Sequence, residues 1–206
     1  MSNEAITGYR RGIGGGLAFV VSGPSGAGKN TVIDRVMELL PGLSYSVSYT
    51  TRPPRPHEVP GRDYHFVSRE EFERLIAAGE LVEHVQYLGD YYGTGFRQIE
   101  EVFAQGKDVI LNIDVNGART LRARGLLRFT VIYVFLAPSS LSRLEERLRA
   151  RGTEDKAKIE RRLEVAAREL EEIPGFDYLV INDEFDRAVD ELAGIITAER
   201  VRIVRR

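Results

Sequence analysis

The chain is 206 residues long, 43% hydrophobic and 29% charged, which suits one α/β domain whose core needs no covalent or metal staple. It contains no cysteine; this excludes a disulfide framework and a zinc–thiolate centre and is compatible with a reducing compartment, so the cytoplasm is the expected location. A formal net charge of −2 gives the bulk field no pull on nucleic acid or a membrane surface, so neither is an expected partner and any cationic site must be local.

Residues 1–16 are polar and glycine-rich and end in Arg10-Arg11-Gly12-Ile13-Gly14-Gly15-Gly16. Such a run cannot bury enough apolar surface to offset its ordering entropy, and a flexible tail is predicted. Its glycines do not form a dinucleotide loop, because no strand precedes them and a strand pattern follows. The segment lacks the charged and apolar regions of a secretory signal, and no later run approaches the roughly 18 apolar residues of a membrane span. Neither a leader nor a membrane anchor is expected.

Leu17 to Val21 is continuously apolar and reads as a strand buried on both faces of a parallel sheet. Thr31 to Leu40 then shows helical spacing, stopped by Pro41-Gly42. Tyr45 to Tyr92 breaks the rhythm with aromatics, arginines and turn signals, among them Arg52-Pro53-Pro54-Arg55-Pro56, and reads as a small mixed insertion for a second substrate. Val109 to Ile113, Thr130 to Leu136 and Tyr178 to Ile181 are further buried-type strands separated by charged, helix-patterned stretches. Leu141 to Leu170 is helix-forming and broken at Gly152-Thr153, as in a hinged pair of helices. This alternation predicts an α/β fold, a parallel sheet with helices on both faces and ligands at the carboxyl ends of its strands.

Gly23-Pro24-Ser25-Gly26-Ala27-Gly28-Lys29 lies between the first strand and the first helix. Glycines there let backbone N–H groups turn inward, the helix N-terminus adds partial positive charge, and the lysine reaches the outer phosphates of a nucleoside triphosphate. These residues, with Asn30 and Thr31, are the predicted ATP site. Asn30 stands where a Ser or Thr usually offers a hydroxyl to Mg²⁺. No direct protein ligand for the metal is therefore predicted; Mg²⁺ is expected to come with ATP, through its phosphates and waters. His57, His65 and His84 have no metal-ligand spacing.

The acceptor is suggested by longer motifs. Ser46-Val47-Ser48-Tyr49-Thr50-Thr51-Arg52-Pro53-Pro54-Arg55, Glu58-Val59-Pro60-Gly61-Arg62-Asp63-Tyr64-His65-Phe66 and Tyr91-Tyr92-Gly93-Thr94 closely resemble the nucleotide-binding insertion of guanylate kinases. The likeness runs from about Leu17 to Glu199 and takes in Asp114-Val115-Asn116-Gly117-Ala118, Arg151-Gly152-Thr153-Glu154 and Asn182-Asp183. It implies a P-loop domain over 17–206, with core segments 17–44 and 93–206, a GMP-binding insertion at about 45–92 and a helical lid at about 138–162. The implied reaction is ATP + GMP giving ADP + GDP, with dGMP as a further acceptor.

By the same resemblance, Glu83 takes the two donors of guanine and Ser48 and Thr94 supply hydroxyl contacts to the base. Arg52, Arg55, Tyr64 and Tyr92 clamp the acceptor phosphate. Arg147, Arg151 and Arg162 close with the lid on the transferring group, Asp114 joins the acceptor and magnesium–water network, and Asn182 contacts the adenine side. Asn112 occupies a position where the family commonly carries an acid. Arg143, Arg149, Arg161 and Arg168, in the same charged stretch, are assigned to solvated faces. Two other readings share the scaffold: a non-catalytic interaction module, against which Lys29 and the intact glycines count, and a kinase for a phosphorylated sugar, in which Ser48, Glu83 and Thr94 would have no purpose.

Overall fold

The computed structural model describes residues 16–87, 89–125, 129–150 and 155–203. Its larger sheet is built from β1 (Leu17–Ser22), β2 (Leu43–Tyr45), β7 (Asp108–Asn112), β8 (Thr130–Ala137) and β9 (Tyr178–Ile181). The strands run in the order β2-β7-β1-β8-β9, and each neighbouring pair is parallel. In β1 the alternation of the pleat sends Leu17, Phe19 and Val21 to one face and Ala18 and Val20 to the other.

Both faces are covered, which is why the strand reads as an unbroken apolar run. On the first, Val32, Ile33 and Val36 of helix α1 (Lys29–Leu39) and Leu192 and Ile196 of α7 (Phe185–Val201) complete the core. On the second, Ile99 and Val102 of α3 (Phe96–Ala104) and Ala118 and Leu121 of α4 (Val115–Arg124) do so. Strand order places β1 at the centre, so the loop that follows it opens at the middle of the sheet's carboxyl edge.

A second, four-stranded sheet runs β4 (His65–Phe66), β3 (Tyr49–Thr50), β6 (Asp90–Gly95), β5 (Leu81–Tyr87). It is mixed: β3 and β4 are parallel, whereas β6 is antiparallel to both β3 and β5. Helix α2 (Arg69–Ala77) covers it, started by Ser68, whose Oγ accepts from the Glu71 N–H at 3.2 Å. Phe72 of that helix is fully buried and stacks on Tyr91 with ring centroids 5.1 Å apart. Tyr45 pairs within the larger sheet and Gly95 closes β6, so the strands of the smaller sheet lie between Tyr49 and Gly95.

Helices α5 (Leu141–Ala150) and α6 (Lys156–Leu170) form the charged arm, zipped together by Leu144, Leu148, Ile159 and Ala166. Asp155 caps α6 by accepting from the Lys158 N–H at 2.8 Å. The expected break at Gly152-Thr153 and the neighbouring Arg151 lie outside the described residues, as does the expected tail except for Gly16. Among the described residues, no helix is long and apolar enough to cross a membrane.

Candidate active site

Between the two sheets lies a cleft of about 750 Å³, lined from one side by Lys29, Asn112 and Asp114 and from the other by Arg52, Glu83 and Tyr92. The first group stands at the carboxyl edge of the parallel sheet, where β1 and β7 end. Gly23 turns the chain there with φ 138°; a Cβ would lie 2.0 Å from Leu136 O. Gly28, at φ 91°, is the N-cap of α1 and offers no side-chain cap. The first N–H groups of that helix are consequently open to an anion. Lys29 Nζ donates to its own loop, to Gly23 O at 2.6 Å and Pro24 O at 3.2 Å. Burial lowers the Lys29 ammonium to about 8, while the Glu169 and Asp114 carboxylates pull it back upward.

Asn182 and Arg147 both reach the phosphate loop. Asn182 is buried and its Nδ2 donates to Ala27 O at 2.7 Å, which braces the phosphate loop from below. Arg147 reaches from α5 to the carbonyls of Ala27 at 3.3 Å, of Asp183 at 3.4 Å and of Asn182. Both line a smaller cleft beside the loop, with Gly26, Gly28 and Thr31. Arg162 lines neither cleft. Arg143 and Arg149 make exposed ion pairs with Glu146 and Glu145, as expected of solvated faces.

Asn30 and Asn112 face each other, with Asn112 Nδ2 donating to Asn30 Oδ1 at 2.9 Å. The two departures from the usual residues are thus one linked feature. Asp114 is the N-cap of α4, its Oδ1 accepting from the Gly117 N–H at 2.6 Å. Among the described residues, no group of three or more His, Cys, Asp or Glu could hold a metal ion.

On the opposite wall, the β5–β6 register sets Glu83 directly across from Thr94, so their side chains share a face of the sheet. Thr94 Oγ1 donates to Glu83 Oε1 at 2.8 Å, and Ser48 Oγ lies 3.2 Å from the same Thr94 hydroxyl. Glu83 is 3% exposed. Burial pushes its carboxyl up to about 7, the Thr94 hydroxyl lowers it, and Asp114 adds to the rise. Its other oxygen packs on α4, where a Cβ at Gly117 would come within 2.9 Å of Oε2. Arg52 lies 5.6 Å from the centroid of the Tyr64 ring, which in turn meets Tyr92 edge-on at 6.0 Å. Together with Arg55 these residues line the same cleft.

Sequence reasoning missed two carboxylates. Glu169 lines the main cleft; its Oε2 is buried without a partner, and burial, with Asp114, raises it to about 7 against the pull of Lys29. Its available signal was position: Glu169 follows Arg162 by two helical turns on α6 and so shares its helix face, although of the two only Glu169 lines the main cleft. Glu58 is the second, held between Arg52 and Arg55. The three-residue steps Arg52, Arg55, Glu58 in a proline loop were its available signal.

The family model for guanylate kinase matches residues 16–199. The chain is 48% identical over 190 residues to the guanylate kinase of Symbiobacterium thermophilum, covering 92% of this chain and 89% of that one. It is 44% identical over 190 residues to the guanylate kinase of Geobacter sulfurreducens, covering 92% of each. The crystal structure of guanylate kinase from Anaplasma phagocytophilum superposes with a TM-score of 0.73 at 32% identity, over 91% of this chain and 88% of that one. The matched span carries the phosphate loop, the buried Glu83 and both arm helices in a single stretch, and the chain belongs to the guanylate kinase family.

Proposed function

We propose that the protein transfers the terminal phosphoryl group of ATP to GMP, yielding ADP and GDP, and that dGMP is accepted through the same base and phosphate contacts. One observation carries the reading: a buried carboxylate with hydroxyl support, Glu83 with Thr94 and Ser48, faces the same cleft as the Lys29 loop. Guanine offers two adjacent donors, N1–H and the N2 amino group, and one carboxylate can accept both while a hydroxyl serves O6. A phosphorylated sugar has no use for that set.

In the transfer, an oxygen of the acceptor phosphate attacks the γ-phosphorus in line. The bond to the β–γ bridging oxygen breaks and ADP leaves, so no covalent enzyme intermediate is required. Pro24 has no N–H and the Ala27 N–H is already bonded to Pro24 O at 3.1 Å, so the remaining N–H groups of the Gly23–Lys29 loop, continued by Asn30 and Thr31, cradle the donor phosphates, and Lys29 Nζ exchanges its loop carbonyls for phosphate oxygens. Arg52 and Arg55 hold the acceptor phosphate with Tyr64 and Tyr92, and Asp114 orients the acceptor side. Arg147, Arg151 and Arg162 bring guanidinium charge to the transferring group when the arm closes. In the observed arrangement Arg147 and Asn182 brace the loop, so their contribution also passes through its shape.

Magnesium fits this site as an ion carried by ATP, not as one held by protein carboxylates. The Asn30 amide oxygen already accepts from Asn112, and neither residue of the pair is charged. The ion would supply charge neutralisation of the donor phosphates when bound, and Asp114 would be the carboxylate that accepts from its water shell.

The test is a coupled ADP-release assay with ATP and Mg²⁺, offering GMP, dGMP, AMP, CMP, UMP and ribose phosphates in turn. GMP and dGMP should turn over; AMP should be rejected by up to about 10⁴-fold, because it leaves the carboxylate's lone pairs unmatched. Comparable use of AMP would remove the guanine reading, and preferential use of a ribose phosphate would replace it with the sugar reading.

A further inference from the structure

Two arginines three residues apart on an open loop repel each other, so something must hold them facing one cleft. Glu58 is placed to do this. Its Oε1 accepts from Arg52 Nη2 at 2.8 Å, and its Oε2 accepts from the Arg55 backbone N–H at 2.7 Å. The Glu58 N–H donates back to Arg55 O at 3.0 Å, so residues 55–58 close into a turn bonded at both ends. Pro53, Pro54 and Pro56 fix φ along the same loop.

The two arginines are held in different ways. The Arg52 guanidinium also donates through Nη1 to Pro53 O at 2.7 Å and lies 5.6 Å and 5.9 Å from the Tyr64 and Phe66 ring centroids. Its Nε is buried and has no partner. A guanidinium has five N–H donors, so these bonds orient the group and leave donors for a ligand. Arg55 is exposed, and among the described residues its guanidinium makes no hydrogen bond or ion pair. Glu58 thus fixes the side chain of one arginine and the backbone of the other.

We propose that Glu58 is a positioning residue for the acceptor phosphate: it presets the Arg52 guanidinium and pins the root from which Arg55 closes. The inference rests on the proposed assignment of Arg52 and Arg55 to that phosphate. The opposite role, a carboxylate that the phosphate must displace, would require Arg52's donors to be used up, yet Pro53 O and Glu58 Oε1 take only one N–H each from Nη1 and Nη2, which leaves the second N–H of each terminal nitrogen for a ligand. Both Glu58 oxygens face donors, so an amide cannot replace it: glutamine would turn one acceptor into a donor pointed at an N–H.

The experiment measures GMP and guanosine binding by calorimetry, together with steady-state kinetics, for Glu58→Gln, Glu58→Asp, Arg52→Ala and Glu58→Gln combined with Arg52→Ala. Glu58→Gln should raise the Kd and KM for GMP about tenfold, with kcat at saturating GMP changed by no more than about twofold. The KM for ATP and the affinity for guanosine, which has no phosphate, should stay the same. Glu58→Asp should recover part of the loss, and the Glu58→Gln effect should shrink once Arg52 is already gone. If Arg52→Ala weakens GMP binding but Glu58→Gln leaves it unchanged or tightens it, the proposal is overturned and the clamp assignment stands. A matching loss of guanosine or ATP affinity overturns it in favour of a merely structural role. If Arg52→Ala itself leaves GMP binding intact, the clamp assignment falls and the proposal falls with it.

Discussion

Glu83 and Lys29 are both displaced from their ordinary pKa values by burial, in directions that oppose the charge each needs. With a carboxyl at about 7, Glu83 is increasingly protonated below neutrality and then cannot accept both guanine donors. GMP affinity should therefore fall as pH drops through that value, approaching tenfold per unit well below it. Lys29, at about 8, loses its proton on the alkaline side, so kcat/KM for ATP should fall above that pH. Glu169 and Asp114 face the same cleft, and Glu83→Gln separates their contribution: the acid limb for GMP should flatten in that variant. An acid limb in GMP affinity that survives Glu83→Gln unchanged would remove it from Glu83 and leave it to Glu169 or to the GMP phosphate, whose second pKa is about 6. A second residue-scale expectation concerns the amide pair. Asn112→Asp puts a carboxylate opposite the Asn30 oxygen, so it should lose their hydrogen bond but raise the affinity of the enzyme–nucleotide complex for Mn²⁺, read by electron paramagnetic resonance. Equal Mn²⁺ affinity in the two proteins would show that position 112 does not face the metal. Residue type and motif alignment brought Glu83 to notice, but nothing in its local sequence distinguishes it from a solvated Glu; its burial comes from long-range pairing with β6 and from packing on Gly117.

At the scale of elements, the loop between β1 and α1 depends on conformations closed to other residues. Gly28 combines φ 91° with a position where a Cβ would stand 2.5 Å from Asn182 Nδ2, so Gly28→Ala strains the backbone and pushes away the side chain that braces Ala27. Left-handed strain alone is worth about 1–3 kcal/mol. ATP affinity should drop by roughly tenfold or more, while Gly106→Ala, with φ 70° but nothing within 4 Å, should leave ATP affinity unchanged. Equal ATP affinities in the two variants would separate the loop's shape from donor binding. The long elements were legible because period and burial agree: β1, β7 and β8 are apolar on both faces, and α1 begins where the glycines end; β9 forms as expected but at the sheet edge, with Leu179 exposed rather than buried. The two-residue strands β3 and β4 were not, since two residues cannot display an alternation. Nor could the irregularity between Leu81 and Glu83 be read; a bulge leaves no compositional mark here, yet it sets which face Glu83 occupies.

Across the whole molecule, the proposed assignment makes one wall of the cleft, built from the parallel sheet, its loop and the arm, the donor side and the other wall, built from the small mixed sheet, the acceptor side. Substitutions should sort by side. Arg147 joins the arm to the Ala27, Asn182 and Asp183 carbonyls, and Leu148 of the same helix approaches Gly26, where a Cβ would lie 3.0 Å from its Cδ2. Removing Arg147 therefore loosens the loop and the arm together, and Arg147→Ala should lower kcat and raise the KM for ATP. Binding of GMP to the free enzyme, read by calorimetry, should be unaffected, because none of those contacts touches the small sheet. Arg52→Ala should do the reverse in binding, weakening GMP without changing ATP affinity, and should also lower kcat because the acceptor phosphate is no longer aligned. Each lost charge-assisted bond corresponds to about 10- to 150-fold when well shielded, and less where solvent screens it. Arg149, paired with Glu145 at 2.6 Å on the exposed side of the same helix, is the matched control, and Arg149→Ala should leave all these quantities within about twofold. If Arg147→Ala instead weakened GMP binding to the free enzyme as strongly as Arg52→Ala, the two walls of the cleft would have to move as one body, and the division into donor and acceptor sides would be wrong.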